Sequence, residues 1–170
     1  MDFKINKKKF EVFLEVTEEL NDFFNIIPIL YGSLGLYKII GEDDESQDID
    51  ILVPDEFVNG RWNKLISLME KIGFKLKNEH EHEFIRNSEI VAFGTQKDLV
   101  KRIQLNPNKL TVSSVDNIKF KELSAEDYLS VYKLMLRDDY RQEKLGENDK
   151  KKIELIKKYI KNKLTKKSKN

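Results

Sequence analysis

Between Ile29 and Pro54 the chain reads ILYGSLGLYKIIGEDDESQDIDILVP, and few folds can accommodate that order of features. An apolar run ends on Gly32 and Ser33, and the following "LGLYKII" leaves room for only a turn or two of helix before Gly41. After the polar loop "GEDDESQ", the alternating, β-branched "DIDILVP" predicts a strand stopped by Pro54. Side chains alternate along a strand, so Asp48 and Asp50 share one face while Ile49 and Ile51 turn to a core. Two carboxylates held side by side repel and raise one pKa unless a cation joins them, and hard oxygen ligands suit Mg²⁺. Upstream, Gly32 permits close approach of the backbone to a phosphate. Ser33 offers a hydroxyl and an amide where a helix begins and anions are favoured. The stretch therefore predicts phosphates at one end and metal at the other.

With 170 residues, 39% of them hydrophobic, the chain is long enough for one core, or for a core with a small helical appendage. Charged residues make up 36% but nearly cancel, to +1, so no global field points to nucleic acid or an anionic membrane. There is no cysteine, which rules out disulfide and thiolate chemistry and suits a reducing cytosol. The charged, amphipathic start does not read as a signal peptide, and no apolar run approaches the ~20 residues that span a bilayer. A soluble, cytoplasmic protein is expected.

Phe10, Phe13, Leu14, Thr17, Leu20 and Phe24 recur at helical spacing and predict a helix from about Lys7 to Phe24. Trp62, Leu65, Ile66, Met69 and Ile72 predict a second, closed by Gly73, with Trp62, Met69 and, further on, Met135 read as core. "FKLKN", "HEFIR" and "EIVAFG" read as strands, the last two joined by a turn at Asn87 and Ser88. "NPNK" reads as a loop, and "LTVSSV" and "IKFKEL" as short strands whose pairing is open. Ser124 caps a helix carrying Tyr128, Leu129, Tyr132, Met135 and Leu136. A further helix, opened by Asn148 and Asp149, carries Ile153, Ile156 and Ile160 and packs antiparallel to it. The lysine-rich "KNKLTKKSKN" is expected to be disordered. The expected division is a catalytic-type domain over 1–121, a helical region over 122–162 and a tail over 163–170.

The "YGS" and "DID" of this chain resemble the glycine-serine and paired-aspartate signature of the DNA polymerase beta-type nucleotidyltransferase superfamily. Small lincosamide and aminoglycoside nucleotidyltransferases and minimal nucleotidyltransferases are the members it looks most like. The resemblance is strong over Ile29 to Pro54 and looser through the following helix and hairpin and "VDNIKFKELSAEDYL". It implies an α+β fold, with a mixed, mostly antiparallel sheet backed by helices and a helical C-terminal region. It also implies transfer of a nucleoside monophosphate, AMP from ATP or another NTP, to a hydroxyl of a small acceptor with release of pyrophosphate. Two Mg²⁺ ions, or Mn²⁺, would be held by Asp48 and Asp50, and Gly32 and Ser33 would hold the triphosphate. The spacing from Ser33 to Asp48 is longer than the family's, an excess the "GEDDESQ" loop would absorb.

The family's third carboxylate, which binds metal and activates the acceptor, belongs on "EIVAFG", where Val91, Ala92 and Phe93 stand instead. Glu83 and Glu89 are the substitutes, with Glu83 preferred because it lies inside a strand. Arg137, Arg141 and Lys144 are spaced to meet a polyanion, and because the family's C-terminal helices help close the site, the resemblance makes all three candidates for triphosphate contacts, Arg137 and Lys144 among the cofactor-binding residues. A solvated helix face is the plainer reading of the same residues. In "NEHEHEF", alternation along a strand would pair His80 with His82, but zinc needs a third ligand and the chain has no other histidine or cysteine. Two other functions fit the sequence: a protein-modifying or antitoxin-type nucleotidyltransferase with a partner protein, and a nucleotide-binding module without turnover. Long nucleic acid is disfavoured because no continuous basic strip precedes the lysine-rich tail.

Overall fold

A computed structural model describes residues 6–42 and 46–168. The middle of the "GEDDESQ" loop, expected to absorb the long spacing before Asp48, lies outside the described residues. The element order is α1 (Lys7–Phe24), β1 (Ile29–Tyr31), α2 (Gly32–Ile40), β2 (Ile49–Val53), α3 (Asp55–Asn59), α4 (Trp62–Lys71), β3 (Lys75–Asn78), β4 (Glu83–Arg86), β5 (Glu89–Thr95), α5 (Gln96–Ile103), β6 (Thr111–Val115), β7 (Ile118–Glu122), α6 (Ala125–Met135) and α7 (Asp139–Lys167). The strands form one mixed sheet in the order β3-β4-β5-β2-β1-β7-β6. Only β1 with β7 and β2 with β5 run parallel; the other neighbours are antiparallel. The α+β class and the mixed sheet match the expectation from the sequence.

Each face of the sheet carries its own core. On one, α1, α3 and α4 cover Leu30, Ile49, Ile51, Val53, Phe84, Val91, Phe93 and Phe120. On the other, Ile29 and Leu52 are covered by α2, α5, α6 and α7, with Leu36, Leu99, Tyr128, Val131, Ile153 and Ile156 among the buried residues. Strand alternation decides which residues face which core. Ile49, Ile51 and Val53 point into the first, so Asp50 and Leu52 point to the side where the helices leave clefts. Asn87 and Ser88 form the β4–β5 turn with φ of 48° and 69°, the left-handed pair that a two-residue hairpin requires.

Four local expectations are corrected. Residues 96–103, given no element from sequence, form α5. The segment over Asp55–Asn59, likewise unassigned, is α3. His80 and His82 lie in the turn between β3 and β4 rather than on one face of a strand, and His82 adopts φ 54° with its ring 4.8 Å from that of Trp62. The helix expected to open at Asn148 is instead the middle of α7, which starts at Asp139 and continues through residues expected to be disordered, as far as Lys167. The Asp138 side chain accepts from the Arg141 amide and caps its start. The α6 start is as read: Ser124 Oγ accepts from the Asp127 amide at 3.1 Å while Asp127 accepts from the Ser124 amide at 2.9 Å, a capping box. Among the described residues, no helix is long and apolar enough to cross a membrane.

Candidate active site

The site lies at the start of β2, the central strand of the sheet, between the end of β1 and the middle of β5. Tyr31 pairs with Asp50, Asp50 with Ala92, and Ala92 with Glu83, so four cross-strand neighbours form one row on β1, β2, β5 and β4. Asp48, just before β2, lines the same two cavities as Asp50, so the carboxylates do share a side as the alternation predicts.

Gly32 meets Asp50 directly. The glycine has φ 65°, in the left-handed region that side chains disfavour, and a β-carbon on it would collide with Oδ2 of Asp50. The requirement for glycine is therefore double, conformational and steric. It also begins α2, whose first turn has no side-chain cap, leaving its N–H groups and the positive end of the helix dipole open toward the groove. Ser33 Oγ accepts a 3.0 Å hydrogen bond from Lys152 Nζ, brought by α7 from 119 positions away. Lys152 also sits 5.1 Å from the ring centroid of Tyr132. Arg141, on the same helix, grips Asp149 through two hydrogen bonds, Nε to Oδ2 at 2.9 Å and Nη2 to Oδ1 at 3.2 Å. The Asp149 side chain is 1% exposed, so this pair fixes the guanidinium above the groove.

Two cavities meet at the aspartates. A groove of about 360 Å³ is lined by Gly32, Ser33, Gln47, Tyr132, Arg141, Asn148 and Lys152 together with Asp48 and Asp50. On the other side, a cavity of about 310 Å³ runs between α5 and α6, past Glu81, Glu83, Asp98 and Arg102. Tyr31 and Met135 border both.

Electrostatics separate the groups. Burial, and then the neighbouring Asp48, push the Asp50 carboxyl from its ordinary 3.8 up to about 7, against the pull of Lys152 and Arg141. Burial lowers the pKa of Lys152, opposed by Asp149 and the two site aspartates. Burial, followed by Asp50, raises Tyr31 to about 12, so its hydroxyl stays protonated. A carboxyl raised in this way beside a second carboxylate is a place where added positive charge, of the kind a divalent cation carries, would be favoured. Among the described residues, no three His, Cys, Asp or Glu side chains converge into a complete metal cage. Mg²⁺ commonly takes one or two carboxylates and completes its shell with phosphate oxygens and water, and Asp48 and Asp50 fit that mode.

The structure sorts the remaining candidates. Glu83 lines the second cavity, acts electrostatically on Asp50, and pairs across the strands with Ala92, one of the three residues at the centre of the strand expected to carry a third acid. It is also paired with Lys77 at 2.8 Å. Glu89 is excluded as a substitute: its carboxylate is clasped by Lys8 at 2.9 Å and Lys9 at 2.6 Å beside the start of α1, and it lines neither cavity. Arg137 and Lys144 do not line the groove with Gly32 and Ser33. They border a neighbouring depression with Asp138 and Leu145, while Arg141 reaches both. The cation missed in the sequence is Lys152. Arg141, Asn148 and Lys152 repeat at intervals of two and one helical turns and so share a face of α7, a signal visible once the helix is read as continuous.

No protein-family model matches the chain. It is 36% identical over 155 residues to the uncharacterized protein YnaI of Bacillus subtilis, covering 91% of this chain and 99% of that protein. Among solved structures, an antigenic nucleotidyltransferase-like protein from Paracoccidioides brasiliensis superposes with a TM-score of 0.57 at 16% identity, over 89% of this chain and 77% of that one. ANT(2")-Ia in complex with adenylyl-2"-tobramycin superposes with a TM-score of 0.55 at 12% identity, over 85% and 86% respectively. At such identities the likeness speaks for the fold. The chain thus belongs to the family of Bacillus subtilis YnaI and has the nucleotidyltransferase fold.

Proposed function

We propose that the chain is a Mg²⁺-dependent nucleotidyltransferase that moves AMP from ATP to a hydroxyl of a small-molecule acceptor. The observation that carries this reading is the continuity of Asp48 and Asp50 with an uncapped helix start at Gly32 and Ser33 under Lys152 and Arg141. Carboxylates for a metal thereby adjoin N–H groups and cations for a polyphosphate. ANT(2")-Ia, of like fold, is described with an adenylylated small molecule, which agrees with an adenylyl group and a soluble acceptor.

In this reading the amides at Gly32 and Ser33 take phosphate oxygens, and Lys152 and Arg141 offset the charge that grows on departing pyrophosphate. Asp48 and Asp50 would hold Mg²⁺, which when bound supplies Lewis-acid polarisation of the α-phosphate. Glu83, facing the second cavity, receives the acceptor's hydroxyl proton, and no covalent intermediate with the protein is needed. The test is pyrophosphate release from α-labelled ATP and Mg²⁺ across a panel of hydroxylated small molecules. The label should move to the acceptor, and Asp48→Asn and Asp50→Asn should each abolish transfer.

A second reading is favoured by one observation: Ala92 at the register of Asp50, with the nearest replacement acid, Glu83, engaged by Lys77. A nucleotide-binding module without turnover would bind Mg·ATP normally while pyrophosphate release stayed at background.

A further inference from the structure

The two site aspartates are held unequally. Asp50 lies inside the sheet, paired with Tyr31 on β1 and with Ala92 on β5. Asp48 stands just outside it, because the pairing of β2 with β5 begins at Ile49 and Val91. The backbone is caught one residue earlier: Lys9, in the first turn of α1, donates from Nζ to the Gln47 carbonyl at 3.0 Å and to Glu89 Oε2 at 2.6 Å. Glu89 opens β5 two positions before the partner of Ile49, so the parallel register carried back sets it level with Gln47. Lys9 and Glu89 are both buried. The Asn6 side chain, capping α1, accepts from the Lys9 amide at 3.1 Å and steadies the backbone that carries the lysine.

From this we infer that Lys9 and Glu89 are positioning residues: the buried pair clamps the carbonyl before Asp48 and so holds the Asp48 carboxylate in register with Asp50, ready for a divalent cation. The inference rests on the transfer reading for its cation, but the clamp it asserts does not. An ion pair taken out of water adds little net stability, and apolar side chains of like volume would dock α1 as well. Apolar side chains cannot donate to a carbonyl. An ammonium has three N–H donors, so Lys9 can pair with Glu89 and still bond Gln47. The hydrogen bond from Lys9 in turn holds the Glu89 carboxyl below its ordinary pKa despite its burial. A second ion pair supplies the comparison. Arg86 on β4 donates to Glu15 on α1 at 2.8 Å, tying the same helix to the same hairpin, but its further hydrogen bond goes to the Ile72 carbonyl after α4 and not to the entry of β2.

The experiment titrates the full chain with Mn²⁺, without nucleotide, followed by electron paramagnetic resonance, and reads amide hydrogen exchange over residues 46–49 alongside. Lys9→Met combined with Glu89→Gln removes the clamp and leaves no unpaired charge in the interior. Its Mn²⁺ affinity should fall about tenfold, the low end of what losing a contact that orients a metal ligand costs, and residues 46–49 should exchange faster. Glu15→Gln combined with Arg86→Met loosens α1 from the hairpin elsewhere. It should keep wild-type Mn²⁺ affinity and wild-type exchange over 46–49, whatever its thermal midpoint. Lys9→Gln, one atom too short to reach both Glu89 and Gln47, should lower the affinity likewise and provides a second variant should the first be unstable. Wild-type Mn²⁺ affinity without the clamp, an equal loss in the variant at Glu15 and Arg86, or unchanged exchange over 46–49 would overturn the inference. A wild type that binds no Mn²⁺, with exchange over 46–49 still dependent on Lys9, would defeat the metal of the transfer reading and leave the clamp standing.

Discussion

Gly32, where β1 passes into α2, lies against Asp50 of β2 with no room for a β-carbon between them. The glycine is bent to φ 65° at the start of α2, and the carboxylate fills the space its missing side chain leaves. One contact thus joins two features of the groove: the bend that starts α2 also seats the acid beside it.

Gly32→Ala is expected to cost about 1–2 kcal/mol from the left-handed backbone alone, plus the displacement of Asp50. The thermal midpoint should fall by several degrees with the far-UV circular dichroism unchanged, and Mg·ATP binding should be lost. Wild-type nucleotide affinity in this variant would show that the contact is not part of the site.

Asp50 makes stability depend on pH in a defined sense. Its folded pKa, about 7, lies above its ordinary 3.8, so the native state holds the proton more tightly. The stabilisation from that proton is complete below about pH 4 and is lost as pH rises through 7, an effect of roughly a few kcal/mol for a buried group facing Asp48, Glu83, Lys152 and Arg141. In EDTA, Asp50→Asn should therefore raise the thermal midpoint at pH 8 and change it little at pH 4. Mg²⁺ should stabilise the wild type at pH 8 and the variant much less.

Lys152→Ala removes the cation nearest Ser33. A lost charge-assisted hydrogen bond is worth about 1.5–3 kcal/mol, so KM for Mg·ATP should rise roughly ten- to a hundredfold, with acceptor KM unchanged. Lys144→Ala, outside the groove, should leave both constants near wild type.

Glu83 and Ala92 can be exchanged as a test of the proton acceptor. Glu83→Gln should lower kcat by about 10²–10⁴ with little effect on nucleotide binding. Adding Ala92→Asp, on the strand that pairs with Asp50, should recover part of that loss. If kcat does not change in Glu83→Gln, the base lies elsewhere.

What was legible in the chain was what is local. Gly32, Ser33, Asp48 and Asp50 are read from neighbours in sequence, and alternation correctly sets the aspartates against Ile49 and Ile51. Long-range placement was not legible. Lys152 reaches Ser33 only because α7 packs Ile153 and Ile156 into the second core, and nothing near Ser33 announces it. The break expected in α7 arises from "LGEND", where glycine and then Asn148 and Asp149 imitate a helix stop and a new cap. Asp149 is instead used by Arg141, and tertiary burial overrides the local signal. Glu89 failed as a site residue for a similar reason, since its partners Lys8 and Lys9 arrive from α1, some 80 positions upstream.

The most direct measurement is a crystal structure with Mg²⁺ and the non-hydrolysable analogue α,β-methylene-ATP. The account predicts metal on Asp48 and Asp50 against the α-phosphate, with the β- and γ-phosphates under Gly32, Ser33 and Lys152. Nucleotide bound away from that groove, or metal bound without contact to both aspartates, would contradict it.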